Sequence, residues 1–198
     1  NQGENGIGPI NVMSYSIVPL LRANPDVCQE WEPGILSPQY DPRHIPARLK
    51  TGLTVAMSMT EKQGGSDLRS NETRAEQTGS GNRYILRGHK FFCTAPMGDA
   101  ILLTARTESG VSLFLAPRLL PDGSHNGIYI QRLKDKLGNR SNASSEIEID
   151  GTLAYRLGEE GHGIREFIRH MGHYIRMDFS IASTGIMRKA LTLACHHV

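Results

Sequence analysis

Cysteine is scarce in this sequence of 198 residues: Cys28, Cys93 and Cys195 are odd in number and far apart. That argues against a disulfide framework and fits a reducing, intracellular compartment, cytoplasmic or mitochondrial. There is no CxxC pair to start a zinc site. No run of about twenty apolar residues occurs and nothing resembles a signal peptide, so no membrane partner is expected and the formal glycosylation matches at Asn71, Asn139 and Asn142 read as chance. An excess of one charge is missing too: 22 Lys and Arg against 20 Asp and Glu leave +2, too little for a global field that attracts nucleic acid. Internal repeats and low-complexity tracts are absent.

A chain of this length can bury one good core, or one modest core with a helical appendage. Pro9, Pro19, Pro25, Pro33, Pro38, Pro42 and Pro46 crowd residues 1–50, where the only apolar run is 12–21; a helix remnant and a long connector are expected there. From Leu53 the texture changes to short β-branched and aromatic runs separated by Gly, Asn, Asp and Pro. Strands are expected at 53–59, 84–93, 100–107, 111–117, 128–133 and 145–149, forming an antiparallel sheet or barrel. Glu108-Ser109-Gly110 reads as a hairpin turn and Pro121-Asp122-Gly123 as a second turn. After Gly161 and Gly163 the apolar period changes from two to about 3.6. Ile164, Phe167, Ile168, Met171, Ile175, Phe179, Ala182, Ile186 and Leu193 then share one stripe, whose partners are expected in a helical bundle. The chain begins without methionine and this helix is still running at Val198, so both ends are expected to be cut.

Two stretches carry candidate chemistry. Met57-Ser58-Met59-Thr60-Glu61-Lys62-Gln63-Gly64-Gly65-Ser66-Asp67 is a strand entering a hydroxyl- and glycine-rich loop, able to aim backbone N–H groups and the Thr60 and Ser66 hydroxyls at phosphate or carbonyl oxygens. Taken alone it reads more readily as an ordinary turn with local hydrogen bonds. Gly88-His89-Lys90-Phe91-Phe92-Cys93-Thr94 is a strand with an aromatic pair and a hydroxyl at its exit, suited to a flat heteroaromatic ring or simply to core packing. Strand alternation predicts that Phe91 and Phe92 point away from each other.

Other constellations are weaker. His170, His173, Cys195, His196 and His197 lack matching carboxylates and read as solvated, so no metal site is expected. The basic run Arg132, Lys134, Lys136 and Arg140 is interrupted by Asp135. A solvated strand face, or a contact with a ligand phosphate or another subunit, fits it better than nucleic acid. Gly161-His162-Gly163 lacks the Lys-Ser/Thr of a P-loop.

In this order and separation the two stretches resemble the acyl-CoA dehydrogenase family, whose middle β-domain carries a T-E-x-x-x-G-S-D loop and a G-x-K-x-W-I-T strand. Leu137-Gly138-Asn139-Arg140-Ser141 resembles that family's M-G-x-R-S, and Gly158-Glu159-Glu160-Gly161-His162-Gly163 its G-x-G-x-G entry to the C-terminal helices. Lys62-Gln63-Gly64-Gly65 and the segment 132–144 look like the AidB-type branch. The resemblance implies an α+β fold: residues 1–50 as the remnant of an N-terminal helical domain and its connector, 51–157 as the middle β-domain, and 158–198 as the start of a C-terminal bundle.

It implies FAD as cofactor, an acyl-CoA substrate desaturated at its α,β bond with hydride passing to flavin N5, an electron-accepting flavoprotein as partner, and a homotetramer. Met57 and Thr60 would line the flavin. Ser66 would lie near its phosphates or the CoA arm, Phe92 and Cys93 along the ring, and Thr94 at N5 through its hydroxyl or amide. Arg176 matches an arginine that approaches CoA. The family's base is a glutamate matched by neither Glu166 nor Asp178, so no catalytic residue is assigned. A second reading implied by the branch is a flavoprotein that binds acyl-CoA or damaged DNA with little turnover.

Overall fold

The structure, a computed structural model, describes residues 6–79 and 81–197. The outermost parts of both expected flanking segments, residues 1–5 and Val198, lie outside the described residues, as does Ser80.

Residues 6–50 are more regular than their prolines suggest. Three helices, α1 (Gly8–Ser16), α2 (Val18–Arg22) and α3 (Pro25–Ile35), occupy the first part. Pro9, Pro19 and Pro25 each fall at the first or second helical position. There a missing N–H costs nothing and the fixed φ favours entry into the helix, so these residues start helices and do not break them. Ile17, Leu20, Leu21, Val27 and Trp31 are buried beneath them.

Among the described residues seven strands follow: β1 (Val55–Ser58), β2 (Arg74–Gln77), β3 (Arg83–Cys93), β4 (Ala100–Thr107), β5 (Gly110–Pro117), β6 (Ile128–Leu133) and β7 (Ser145–Leu157). The pairings run from β4 through β2, β3, β7 and β5 back to β4, closing a barrel, with β1 on β4 and β6 on β7. The ladders are antiparallel as expected, except that β1 and β2 run parallel to β4. β4 and β5 are buried along most of their length because both their faces are covered. One face, with Leu102, Leu113 and Leu115, packs against the helices, and the other, with Ile101, Leu103 and Phe114, fills the barrel.

Two differences from the expected strands have simple causes. β2 reads Arg-Ala-Glu-Gln, and only Ala75 is buried; one inward side chain leaves no detectable alternation. β7 runs on to Leu157, past the expected end at Ile149, because Gly151 (φ +69°) takes up a register shift opposite Leu86 and Arg87 and lets the ladder resume.

The helices are tied to the barrel by polar contacts. The Ser14 hydroxyl donates to the Ile10 carbonyl and accepts from the Val55 N–H at 2.9 Å. Buried Asp99 accepts from Lys50 Nζ at 2.6 Å and from the Thr54 N–H at 2.9 Å. Ser14→Ala leaves the buried Val55 amide without its acceptor and is expected to lower stability by about 1–3 kcal/mol, read as a shift in the urea midpoint at constant slope.

Beyond the barrel, α4 (Gly163–Phe167) passes through one turn of π-helix (Ile168–Gly172) into α5 (His173–His196). The π turn inserts a residue and slips the phase of the expected stripe. Met171 is buried, while Ile168, Phe179, Ile186 and Leu193 are exposed.

Candidate functional site

The end of β1 and the end of β3 lie side by side. The Thr94 N–H donates to the Met57 carbonyl at 2.9 Å, the Phe91 N–H to the Thr60 carbonyl at 2.9 Å, and the Ser58 hydroxyl to the Phe92 carbonyl at 2.8 Å. The two candidate stretches are therefore adjacent walls of one region.

A buried ion pair clamps these walls. Lys90 Nζ lies 2.7 Å from Glu61 Oε1, and both side chains are inaccessible to solvent. Glu61 also accepts from the backbone N–H of Glu72 at 2.6 Å and of Thr73 at 3.2 Å. Burial alone would raise the Glu61 carboxyl, but the Lys90 charge and the donors from Lys90, Thr73 and Glu72 outweigh it and hold it below its ordinary value. Burial pushes the Lys90 ammonium down to about 8 against the attraction of Glu61. Thr104 joins the network, accepting from Lys90 at 3.3 Å and donating to the Met59 carbonyl at 3.0 Å. Sequence reasoning misses this pair: Lys62 and Gln63 follow Glu61 and His89 precedes Lys90, so neither residue stands out as buried.

The aromatic pair departs from strand alternation. Between Lys90 and Cys93 the β3–β7 ladder slips: Lys90 faces Ile147 and Cys93 faces Ser145, so an extra residue bulges out. The Phe91 and Phe92 rings consequently meet edge to face at 5.4 Å. Lys134 Nζ caps both rings, 3.0 Å from the Phe91 centroid and 4.4 Å from that of Phe92. Lys134 and Arg132 both bind Glu146, whose carboxyl they hold down at about 2. Lys136 donates to the Asn142 carbonyl and the Ser144 hydroxyl, and Arg140 lies 3.6 Å from Asp135. Each member of the basic run thus has an internal partner.

Beside Met57 opens a cleft of about 270 Å³ between α1, α5 and the loop after β6, lined by Val12, Met13, Met57, Asn139, Ile175, Asp178 and Phe179 among others.

Residues 56–152 match the acyl-CoA dehydrogenase middle domain. AidB of Escherichia coli (strain K12) is 47% identical over 93% of this chain and 34% of its own length. Acyl-CoA dehydrogenase family member 11 of Caenorhabditis elegans is 37% identical over 69% of this chain and 24% of its own length. The crystal structure of C. elegans ACDH-11 in complex with C11-CoA has a TM-score of 0.81 at 29% identity, covering 95% of this chain and 32% of that one. The chain belongs to the acyl-CoA dehydrogenase family. It spans about a third or less of the length of these relatives.

Within this member of the family the expected site residues fall in different settings. Met57, Thr60, Phe92 and Thr94 gather at the two adjoining strand ends, Met57, Thr60 and Thr94 half-buried and Phe92 exposed. Thr60 Oγ1 is buried without a partner among the described residues. The Thr94 amide is spent on Met57, which leaves its hydroxyl for a ligand. The Cys93 thiol is in the barrel core, and burial pushes it up to about 12. Ser66 is exposed on the loop, and Arg176 is exposed on α5.

Proposed function

We propose that this chain forms the flavin-facing wall and part of the acyl cleft of an FAD-dependent enzyme that desaturates acyl-CoA thioesters at the α,β position. The observation that carries this reading is the buried, unpartnered Thr60 Oγ1 at the junction of the two strand ends. A polar atom sealed from water without a partner costs free energy, and a ring heteroatom placed there would relieve it. The exposed Phe92 ring and the free Thr94 hydroxyl, next to the same junction, fit a flat heteroaromatic ligand.

When bound, FAD supplies the acceptor for the hydride that leaves the β-carbon. The protein's own part is to hold and to exclude. Thr60 and Thr94 donate hydrogen bonds to the ring, and Phe92 packs along it. Ser66, on the exposed loop, serves phosphate oxygens, and Arg176 a CoA phosphate. The apolar cleft beside Met57 takes the acyl group and keeps water from it. Loss of the α-proton requires a carboxylate over that carbon, and no residue is assigned to it. An electron-accepting flavoprotein and a tetramer complete the reading.

Anaerobic addition of acyl-CoA to the FAD-loaded protein is expected to bleach the visible absorption of the bound flavin. Binding of acyl-CoA without bleaching at any chain length would replace desaturation with sequestration. Thr60→Val is expected to weaken FAD binding about tenfold, equivalent to one net hydrogen bond. Titration of the apoprotein with FAD checks this, and an unchanged dissociation constant would remove Thr60 from the cofactor site.

A further inference from the structure

The cleft beside Met57 is apolar except at two places, the Asn139 amide and the Asp178 carboxylate. Asp178 is half-buried on α5, and no hydrogen bond or ion pair reaches its carboxylate among the described residues. The nearby Tyr15 hydroxyl does not serve it; that group donates to the Tyr174 carbonyl at 3.4 Å. Asn139 reaches the cleft from a backbone at φ +52°, a conformation that few residues other than glycine adopt. A carboxylate with no internal partner, facing Ile175, Phe179 and Met57, is an expensive lining for a site that holds only hydrocarbon.

Resting on the reading that an acyl group occupies this cleft, we infer that Asp178 makes the cleft selective for acyl groups bearing a hydrogen-bond donor, a hydroxyl or an amine, over plain alkyl groups of equal length. A plain chain strips water from the carboxylate and returns nothing. A donor on the chain replaces that water with a charge-assisted hydrogen bond. At about 270 Å³ the cleft is small for a whole cofactor-sized ligand and suited to an acyl portion alone. Asn139, with both a donor and an acceptor, can complete the hydrogen bonding of a hydroxyl held by Asp178.

The test measures binding, independently of turnover. Dissociation constants of the CoA thioesters of hexanoate and of its β-hydroxy, ω-hydroxy and ω-amino derivatives are obtained by calorimetry on the FAD-loaded protein and on its Asp178→Asn and Asp178→Ala variants. At least one donor-bearing thioester is expected to bind roughly ten- to a hundredfold more tightly than the plain one in the unmodified protein. The hydroxy and amino arms tell which donor is preferred. Asp178→Ala is expected to abolish or reverse the preference. Asp178→Asn, nearly the same shape, should keep part of a hydroxyl preference and lose an amine preference; it carries the comparison should the alanine variant fail to fold. Equal binding of plain and donor-bearing thioesters in the unmodified protein overturns the inference and leaves the acyl-CoA reading intact. A preference that persists undiminished in both variants also overturns it. Failure of every thioester to bind overturns the acyl-CoA reading and this inference together.

Discussion

Lys90→Met is expected to destabilise the protein by about 3–5 kcal/mol, because it leaves the Glu61 carboxylate buried without its counter-charge. The Lys90 and Glu61 side chains are both inaccessible, so solvent cannot take over the lost partner. The sign of the pH dependence separates this explanation from simple loss of packing. In the unmodified protein Glu61 titrates below its ordinary value. Its contribution to stability is therefore present above the unfolded value of about 4.3 and is lost as pH falls through the lower folded value. In Lys90→Met the largest opposing charge is gone, burial prevails, and the folded value rises above the unfolded one. The variant should then gain stability, relative to the unmodified protein, as pH is lowered from about 8 toward 5. Adding Glu61→Gln to Lys90→Met removes the stranded charge while keeping an acceptor for the Glu72 and Thr73 amides, and is expected to restore about half or more of the loss. Urea unfolding of the two single variants and the double variant across this pH range decides the matter; parallel pH slopes for Lys90→Met and the unmodified protein would sink the explanation.

Gly88→Ala is the second large effect. A Cβ at Gly88 would lie 2.7 Å from Thr73 Cα and 2.6 Å from Thr73 Oγ1, on a backbone at φ +149°. The contact with main-chain Cα cannot be relieved by a rotamer change, so the segment carrying Thr73 must shift. That segment supplies Glu61 with the Thr73 N–H, and its hydroxyl donates to the His89 carbonyl at 3.0 Å. Overpacking and backbone strain together are expected to lower stability by about 2–5 kcal/mol. Because the clamp between the two strand ends is disturbed, FAD uptake should fall as well. Gly65→Ala is the control: a Cβ there meets nothing within 4 Å, and its unfolding midpoint should stay close to that of the unmodified protein. A Gly88→Ala variant as stable as the control would show that the Thr73 segment yields freely and that the clamp is not rigid.

Several expectations from sequence and structure meet at particular residues. The strand segments 100–107 and 128–133 coincide with β4 and β6, because short runs rich in apolar, aromatic and β-branched residues and bounded by turn residues have few alternatives. The turn at Glu108-Ser109 appears where Thr107 pairs with Gly110. The N-terminal helices were obscured because a proline count cannot separate the first turn of a helix from its interior. Trp31 and Leu20 are buried by contacts with strands far away in the chain.

Local sequence by itself determined the strands with strong apolar patterning, the switch to helix after Gly163, and the two motifs that mark the family, since each depends on residue types within a few positions of one another. The tertiary structure alone decided that Glu61 meets Lys90, that a bulge brings Phe91 and Phe92 together beneath Lys134, and that Asp178 faces the cleft holding Met57. These are contacts across barrel closure and helix docking. Neither propensity nor periodicity encodes the register of strands widely separated in sequence, or the phase of a helix after a π turn.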